Sequence, residues 1–264
     1  GHNNKHICYC HTPTRYLWTD THSYVSNLRL PKFIKRILPL VLSRLRVWDQ
    51  LAGDRPDFYL ANSKTVQDRI TKYYRRDSEI LYPPVDLDAF NPKEKPGGDY
   101  FLAGGRLVAY KRFDLVIKAF NRLGIPLKIF GIGPELDNLK KLARKNIELM
   151  GYVSDEERAE LYRGAKAFIN PQVEDFGITP VEAMASGTPV IALKAGGALE
   201  TVVEGKTGLF FSDQRWEEIS DLVIRFKPEN FDPKVLHQHA MSFSVPTFSH
   251  KLRTIIEQVT KQRT

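Results

Sequence analysis

The sequence predicts an α/β fold whose larger part is a parallel β-sheet covered by helices. From residue 99 onward, short apolar runs with strand character alternate with stretches of helical period. Before them, the stretch 79–100 carries four prolines and two glycines, which interrupt regular structure and suit a linker between domains. Strict alternation of strands and helices is typical of a sheet with helices on both faces, so this part is predicted to be a Rossmann-like domain.

Local periodicity and end signals predict each element in turn. Ahead of the linker we expect a strand in HICYCH, a helix over residues 31–52, a strand in DFYLANS, and a helix in VQDRITKYYR capped by Ser63 or Thr65. After the linker, strands are expected in YFLAGG, LKIFG, IELMG, AFIN, PVIAL and GLFF. The helices between and after them are FDLVIKAFNRL, LDNLKKLARK, DEERAELYRGA, PVEAMAS, ALETVV and WEEISDLVIRF, and PTFSHKLRTIIEQVTKQ is an amphipathic closing helix.

Composition fits a globular protein that favours anionic partners. A chain of 264 residues with 42% hydrophobic content can bury a substantial core. Its net charge of +8 favours nucleotide phosphates, nucleic acid or an acidic membrane surface. The sequence has no uncharged apolar run of about eighteen residues and no signal-peptide pattern, so we expect neither a membrane span nor secretion of these residues.

The two cysteines, Cys8 and Cys10, predict neither a disulfide framework nor a metal site. They are one residue apart on the first predicted strand, which fits a reducing compartment. His6 and His11 flank them and suggest zinc at first sight. Neighbours on one extended strand cannot converge tetrahedrally on one ion, so no metal is predicted at this strand.

Residues 29–46 form the most basic stretch of the chain. Their six bases are accompanied by no acid and by apolar residues in a roughly helical rhythm, and they are Arg29, Lys32, Lys35, Arg36, Arg44 and Arg46. A basic amphipathic helix either lies on an anionic membrane or packs on its own domain with a solvated face, and both readings stay open. Because the bases cluster instead of following a long groove, no nucleic-acid partner is expected. We expect a cytoplasmic protein, peripheral at the cytoplasmic face of a membrane in the first reading.

Two glycine-containing loops follow predicted strands, where parallel sheets bind ligands. After YFLAGG come Gly105, Arg106 and Lys111, two cations beside flexible backbone that suit a diphosphate or form a solvated basic loop. After LKIFG come Gly131 and Gly133 in a GxGP pattern, which indicates a dinucleotide site only weakly and also suits a tight turn.

The loop EDFGITPVEAMASG carries the most informative pattern. Glu174 precedes a predicted helix that opens at Thr179, and a helix start offers free N–H groups to phosphate or sugar oxygens. Glu182 is either a ligand for hydroxyl groups or the partner of Thr179 in a capping box. Another glycine pair, Gly196-Gly197, precedes the next helix and either approaches a ligand or makes a turn. His11, at the end of the first strand, is a candidate neighbour of a reacting centre.

Together these motifs resemble the retaining glycosyltransferases of family 4, which have the GT-B architecture of two Rossmann-like domains. The matching motifs are GGRLVAYKRFD, FGIGPEL, the E-x7-E pair within EDFGITPVEAMASG, and GGALETVVEGKTGLFF. HTPTRYLW and the stretch from RVWDQLAG to ILYPPVD resemble mannosyltransferases of surface polysaccharide assembly. The resemblance implies a partial N-terminal acceptor-side domain at 1–80, a linker at 81–98, a nucleotide-sugar-binding domain at 99–240, and a helix at 241–264 that packs back towards the N-terminal part.

The resemblance also implies a role for each matched residue. Arg106 and Lys111 would neutralise the donor diphosphate, Glu174 would hold the sugar and Glu182 the ribose. His11 would lie near the reacting face of the sugar. The remaining implied contacts with the nucleotide sugar come from Gly105, Gly131, Gly133, Gly151, Tyr152, Val153, Phe176, Gly177, Ile178 and Thr179.

The implied reaction moves a sugar, with mannose from GDP-mannose favoured, to a glycan or lipid-linked acceptor with retention of configuration and without a metal or other cofactor. The family's full N-terminal domain implies that roughly a hundred residues precede residue 1, so turnover by these 264 residues alone is not expected. The alternatives are another GT-B enzyme with a sugar-phosphate acceptor and a catalytically silent nucleotide-sugar-binding module.

Overall fold

The computed structural model describes residues 4–19, 21, 31–92 and 98–261, and the chain divides into two compact units. One unit comprises Gly1–Tyr82 with His250–Thr264, and the other comprises Pro83–Ser249. The predicted boundaries of the linker at 81–98 stay a prediction, and residues 93–97 lie outside the described residues.

The first unit contains a three-stranded parallel sheet in the order β1-β2-β3. Ser63 caps α3 by accepting the Val66 N–H at 3.1 Å, which decides between the two predicted caps. The strand β3 has two residues, too few to show an alternating pattern, and was not predicted. The elements in chain order are β1 (Ile7–Cys10), α1 (Arg15–Trp18), α2 (Lys32–Ala52), β2 (Phe58–Ala61), α3 (Lys64–Tyr74) and β3 (Glu79–Ile80).

The second unit contains a six-stranded parallel sheet in the order β6-β5-β4-β7-β8-β9. Chain order reverses between β4 and β7, the place where open α/β sheets form their ligand crevice. The elements are β4 (Tyr100–Gly104), α4 (Phe113–Leu123), β5 (Leu127–Phe130), α5 (Leu136–Leu142), β6 (Ile147–Gly151), α6 (Asp155–Arg163), β7 (Ala165–Asn170), α7 (Ile178–Ala185), β8 (Val190–Leu193), α8 (Ala198–Thr201), β9 (Gly208–Phe211), α9 (Trp216–Arg225) and α10 (Pro233–Ala240). The last helix is α11 (Val245–Lys261). It begins in the second unit and continues into the first, because the boundary between the units lies between Ser249 and His250.

The helices of the second unit form where apolar periodicity and capping agree. In α4 the residues Phe113, Val116, Ile117 and Phe120 are buried, and Gly124 ends the helix with a φ of 70° that favours glycine. The helix α6 begins with a complete capping box between Ser154 and Glu157.

Several helices differ from the sequence prediction, and the short helix α1 was not predicted. The helix α10 was not predicted, although Asp232 caps it by accepting the Lys234 N–H and Pro233 occupies its first position. The helix α8 has four residues instead of the predicted six, because its backbone turns extended at Val202.

Candidate functional site

The loops that follow the strands of the larger sheet bring most of the predicted residues to one edge. In a parallel sheet all carboxyl ends lie on the same edge, so the loops after β4, β5, β6, β7 and β8 are neighbours there. The N–H of Gly105 donates to the Phe130 carbonyl at 3.1 Å, and the N–H of Gly131 donates to the Gly151 carbonyl at 2.6 Å. These bonds connect the first three loops into one continuous backbone surface.

Glycine is required where two of these loops touch. A Cβ on Gly131 would lie 1.8 Å from the Gly105 carbonyl oxygen, and Gly131 also has a φ of 123°. A Cβ on Gly133 would lie 2.2 Å from the Leu107 carbonyl oxygen, while its φ is not in the left-handed region. The turn interpretation therefore holds for Gly131, whereas Gly133 is needed for close approach between backbones.

A cleft of about 540 Å³ opens beside this contact. Arg106 is exposed on its wall and makes no ion pair with any residue that the structure describes. Tyr152 is 78% exposed, so the face of its ring is accessible to a planar ligand. The cleft is lined by Gly105, Arg106, Phe130, Gly131, Ile132, Gly133, Pro134, Tyr152, Val153 and Arg158. Six of these residues were predicted from the sequence.

Lys111 and Glu174 form an ion pair between the loops after β4 and β7. Lys111 Nζ lies 2.9 Å from Glu174 Oε1, and both side chains are mostly buried. Gln172 Nε2 donates to the same oxygen at 3.1 Å. Lys111 Nζ also lies 3.2 Å from the position that a Cβ on Gly105 would take. The lysine predicted to contact the diphosphate and the glutamate predicted to hold the sugar are therefore paired with each other.

The loop after β8 supports the loop that carries Glu174. The N–H of Gly197 donates to the Glu174 carbonyl at 2.8 Å. A Cβ on Gly197 would lie 2.2 Å from the Phe176 carbonyl oxygen, and one on Gly196 would lie 2.4 Å from the Glu174 carbonyl oxygen. The glycine pair therefore lets its loop lie close to the backbone of the Glu174 loop. The sequence had predicted a turn or a close approach to a ligand at this pair, and not this contact between loops.

The helix after the Glu174 loop, α7, begins earlier than predicted. Its first residue is Ile178, which is exposed, and its N-cap is Gly177 with a φ of 96°. Thr179 lies inside the first turn and makes no capping bond, so the capping-box interpretation of Glu182 is wrong. Phe176 is buried against Phe243 with ring centroids 5.5 Å apart.

Glu182 is 6% exposed and is held by two residues of α6. Arg158 Nη2 donates to Glu182 Oε1 at 3.1 Å, Arg158 Nε lies 3.1 Å from Oε2, and the Tyr162 hydroxyl donates to Oε2 at 3.1 Å. Burial raises the pKa of Glu182, and the charge of Arg158 and the bond from Tyr162 partly offset that rise. Arg158 also lies 3.1 Å from Asp155 Oδ1 and lines the cleft.

Sequence reasoning missed Arg158. It is one charged residue among several in DEERAELYRGA, and nothing in the spacing indicates a partner twenty-four positions away. The ribose role of Glu182 stays a prediction, because its oxygens are bonded to the protein in this structure.

The remaining predicted residues belong to the first unit. His11 follows β1, is exposed, and lies edge-on to the Tyr9 ring at 5.2 Å, so its place beside a sugar stays a prediction. Cys8 is half-buried and Cys10 buried, and burial raises the pKa of the Cys8 thiol. Of the basic stretch, Arg29 and the side chains of Lys32, Lys35 and Arg36 lie outside the described residues.

Comparison with known proteins identifies relatives that share this site region. The family model described as "Glycosyl transferases group 1" matches residues 86–242. The chain is similar to a D-inositol 3-phosphate glycosyltransferase of Mycobacteroides abscessus, with 30% identity over 75% of this chain and 51% of the relative. It is also similar to a GDP-mannose-dependent α-(1-6)-phosphatidylinositol monomannoside mannosyltransferase of Mycobacterium tuberculosis, with 30% identity over 71% of this chain and 56% of the relative. The chain thus spans about half the length of these relatives.

One solved structure extends the similarity to nearly the whole chain. Anabaena HepE, crystallised in complex with UDP-glucose, has a TM-score of 0.73 at 18% identity over 96% of this chain and 72% of that chain. Identity this low shows a common fold and leaves ligand and reaction open.

Proposed function

We propose, because the chain belongs to the group 1 glycosyl transferases, that it transfers a sugar from a nucleoside-diphosphate donor to an acceptor with retention of configuration. The predicted resemblance to family 4 and the predicted α/β fold of GT-B type with Rossmann-like parallel sheets are both confirmed. The activity remains a proposal, since the chain covers about half of its relatives.

The observation that carries the proposal is the cleft lined by the loops after β4, β5 and β6. Arg106 lies on its wall as an exposed cation, and the backbone beside it is free of side chains at Gly105 and Gly131. A planar cationic fork beside backbone that a ligand can approach closely suits a diphosphate. Lys111 is the second cation, and it moves from Glu174 to the phosphate as the ligand enters.

The proposed chemistry is departure of the nucleoside diphosphate while the acceptor hydroxyl attacks the same face of the sugar. The bond between the anomeric carbon and the phosphate oxygen breaks, the new glycosidic bond forms at that carbon, and the proton of the acceptor hydroxyl passes to the departing phosphate oxygen. Arg106 and Lys111 stabilise the charge that develops on the leaving phosphate, in place of a metal ion. Glu174 accepts hydrogen bonds from sugar hydroxyls, and Glu182 accepts them from the ribose.

GDP-mannose is the proposed donor, and a glycan or a lipid-linked molecule is the proposed acceptor. The mycobacterial mannosyltransferase, at 30% identity, is GDP-mannose-dependent by its name. A phosphorylated polyol is the second candidate acceptor, since another relative is named for D-inositol 3-phosphate.

Isothermal titration with GDP-mannose, GDP, UDP-glucose and UDP tests the donor site. We expect binding of the GDP pair to be stronger, and Arg106→Ala to weaken it roughly 10- to 100-fold, the equivalent of one lost charge-assisted bond of about 1.5–3 kcal/mol. Arg225→Ala is the matched control, because Arg225 is exposed in the last turn of α9, at the opposite edge of the sheet.

The titration, together with an assay of sugar transfer, also separates the alternatives. Equal losses in Arg106→Ala and Arg225→Ala would contradict the phosphate role of the cleft. Donor binding without any sugar transfer would favour a silent binding module. Transfer to a phosphorylated polyol in preference to glycan acceptors would favour the second acceptor.

A further inference from the structure

The helix α2 presents a broad apolar surface to solvent. Its largest exposed side chains are between 46% and 70% accessible, and they are Ile37, Leu40, Val41, Val47, Trp48 and Leu51. We call these six side chains the outer face of α2. At about 100° per residue they cover about 120° of the helix circumference, the width that usually faces a protein core.

The other side of α2 is fixed to its own unit. Leu42 and Asp49 are buried there. Asp49 accepts hydrogen bonds from Trp18 Nε1 at 2.7 Å, Thr14 Oγ1 at 2.9 Å and the Tyr74 hydroxyl at 3.1 Å. The orientation of the helix is therefore determined by buried polar bonds, which leave the outer face directed away from the sheet.

The charge of this segment has a single sign. Residues 29–48 contain six bases and no acid. Arg46 is used within the unit, because its Nε donates to the Leu17 carbonyl at 2.6 Å. Arg44 is exposed, and helical geometry places it within the arc of the outer face. A long basic side chain in that position can lay its stem on an apolar surface and direct its charge to anionic groups.

We propose that the outer face of α2 docks in the surface of an anionic lipid bilayer. The apolar side chains enter the boundary between headgroups and acyl chains, and Arg44 contacts lipid phosphates. No helix among the described residues is long and apolar enough to cross a bilayer, so the segment lies in the plane of the surface. Trp48 suits this boundary because its ring is apolar and its N–H is polar. The inference does not rest on the proposed sugar transfer.

The first test measures binding of this chain to vesicles. We expect it to float with vesicles of equal parts phosphatidylglycerol and phosphatidylcholine, to stay behind with pure phosphatidylcholine, and to be released by salt. Trp48 fluorescence should shift to shorter wavelength and be quenched by lipids brominated in the upper acyl chain. In Trp48→Phe the shift should vanish, since the Trp18 indole is bonded to Asp49 within the unit and Trp216 belongs to α9 of the other unit.

Matched variants separate the apolar and charge contributions. Leu40→Ser should lower the vesicle partition coefficient roughly 10-fold, whereas Ile224→Ser, an equally exposed residue of the other unit, should leave it unchanged. Arg44→Gln should lower it roughly fivefold, whereas Lys140→Gln on the exposed surface of α5 should not. All four residues are exposed, so melting temperatures should stay within a degree or so of the parent.

Three results would overturn the proposal. One is absence of flotation with anionic vesicles. Another is an equal loss of vesicle binding in Arg44→Gln and Lys140→Gln, which would show that binding depends only on the net charge of the protein. The third is a dimer in light scattering that Leu40→Ser dissociates without any lipid binding, which would assign the outer face to a second copy of the chain.

Discussion

Replacing Arg158 by methionine would leave the buried carboxylate of Glu182 without its cation. Methionine keeps the apolar stem but removes the two nitrogens that lie 3.1 Å from the Glu182 oxygens. Loss of one partner from a buried ion pair costs about 3–5 kcal/mol. The Arg158 side chain is 21% exposed, so solvent screens part of the interaction and we expect the lower end, about 3 kcal/mol at pH 8.

This loss should depend on pH in a defined direction. Burial raises the pKa of Glu182 and Arg158 lowers it, so the variant has a still higher pKa. A raised native pKa means that folding stability is retained at low pH and lost as the pH rises through that value. The stability deficit of Arg158→Met should therefore be largest at pH 8 and shrink towards pH 5. Affinity for GDP should fall as the pH drops towards 5, because protonation of Glu182 removes the acceptor that we propose for the ribose.

Urea unfolding and GDP titration at pH 8, 7, 6 and 5 measure both trends. The control is the double variant Arg158→Met/Glu182→Gln, in which no buried charge remains at this site, so the pH dependence that Glu182 gives the single variant should disappear. Equal pH dependence in the single and double variants would refute the reasoning, since the titrating group would then be another residue.

The other predictions concern the loops at the same sheet edge. Glu174→Gln should weaken binding of GDP-mannose while GDP binds as well or better, because we propose that the carboxylate holds the sugar and it is paired with Lys111; titration of both ligands measures this. Gly131→Ala should cost more than about 3 kcal/mol in urea, because its Cβ would lie 1.8 Å from a carbonyl oxygen, whereas Gly151→Ala has open space and should cost about 1 kcal/mol of strain alone. Thr179→Ala should change stability by less than about 0.5 kcal/mol, but Ser154→Ala, which removes a real cap, should cost about 1 kcal/mol. EDTA should leave the GDP affinity unchanged, and a loss restored by Mg²⁺ would contradict neutralisation by side chains.

Sequence patterns predicted the elements whose signals are local. The helix α4 has the predicted bounds, Phe113–Leu123, because its apolar period and its terminal glycine agree. The helix α10 carries an equally local signal in Asp232-Pro233, but its eight residues contain few apolar side chains and the period is weak. Short elements such as β3 depend on pairing with neighbours, which periodicity does not show.

The candidate site was predictable to the extent that strand ends determine it. Gly105, Arg106 and Gly131 follow neighbouring strands, so the topology alone brings them to one cleft. Pairing between side chains was not predictable in the same way. The contact of Lys111 with Glu174 joins loops separated by two other strands in the chain, and rotamers and packing decide it.

Glu182 shows that a local motif can miss a side-chain partner that is distant in the chain. Its spacing from Thr179 allowed a cap or a ligand, yet the carboxylate is held by Arg158 and Tyr162 of the preceding helix. Because Arg158 also lines the cleft, a nucleotide that contacts its guanidinium changes the electrostatic environment of Glu182 behind it. The two glutamates of the motif therefore differ physically: Glu174 is paired with Lys111 of another loop, whereas Glu182 is paired with Arg158, a cleft-lining residue that the motif does not contain.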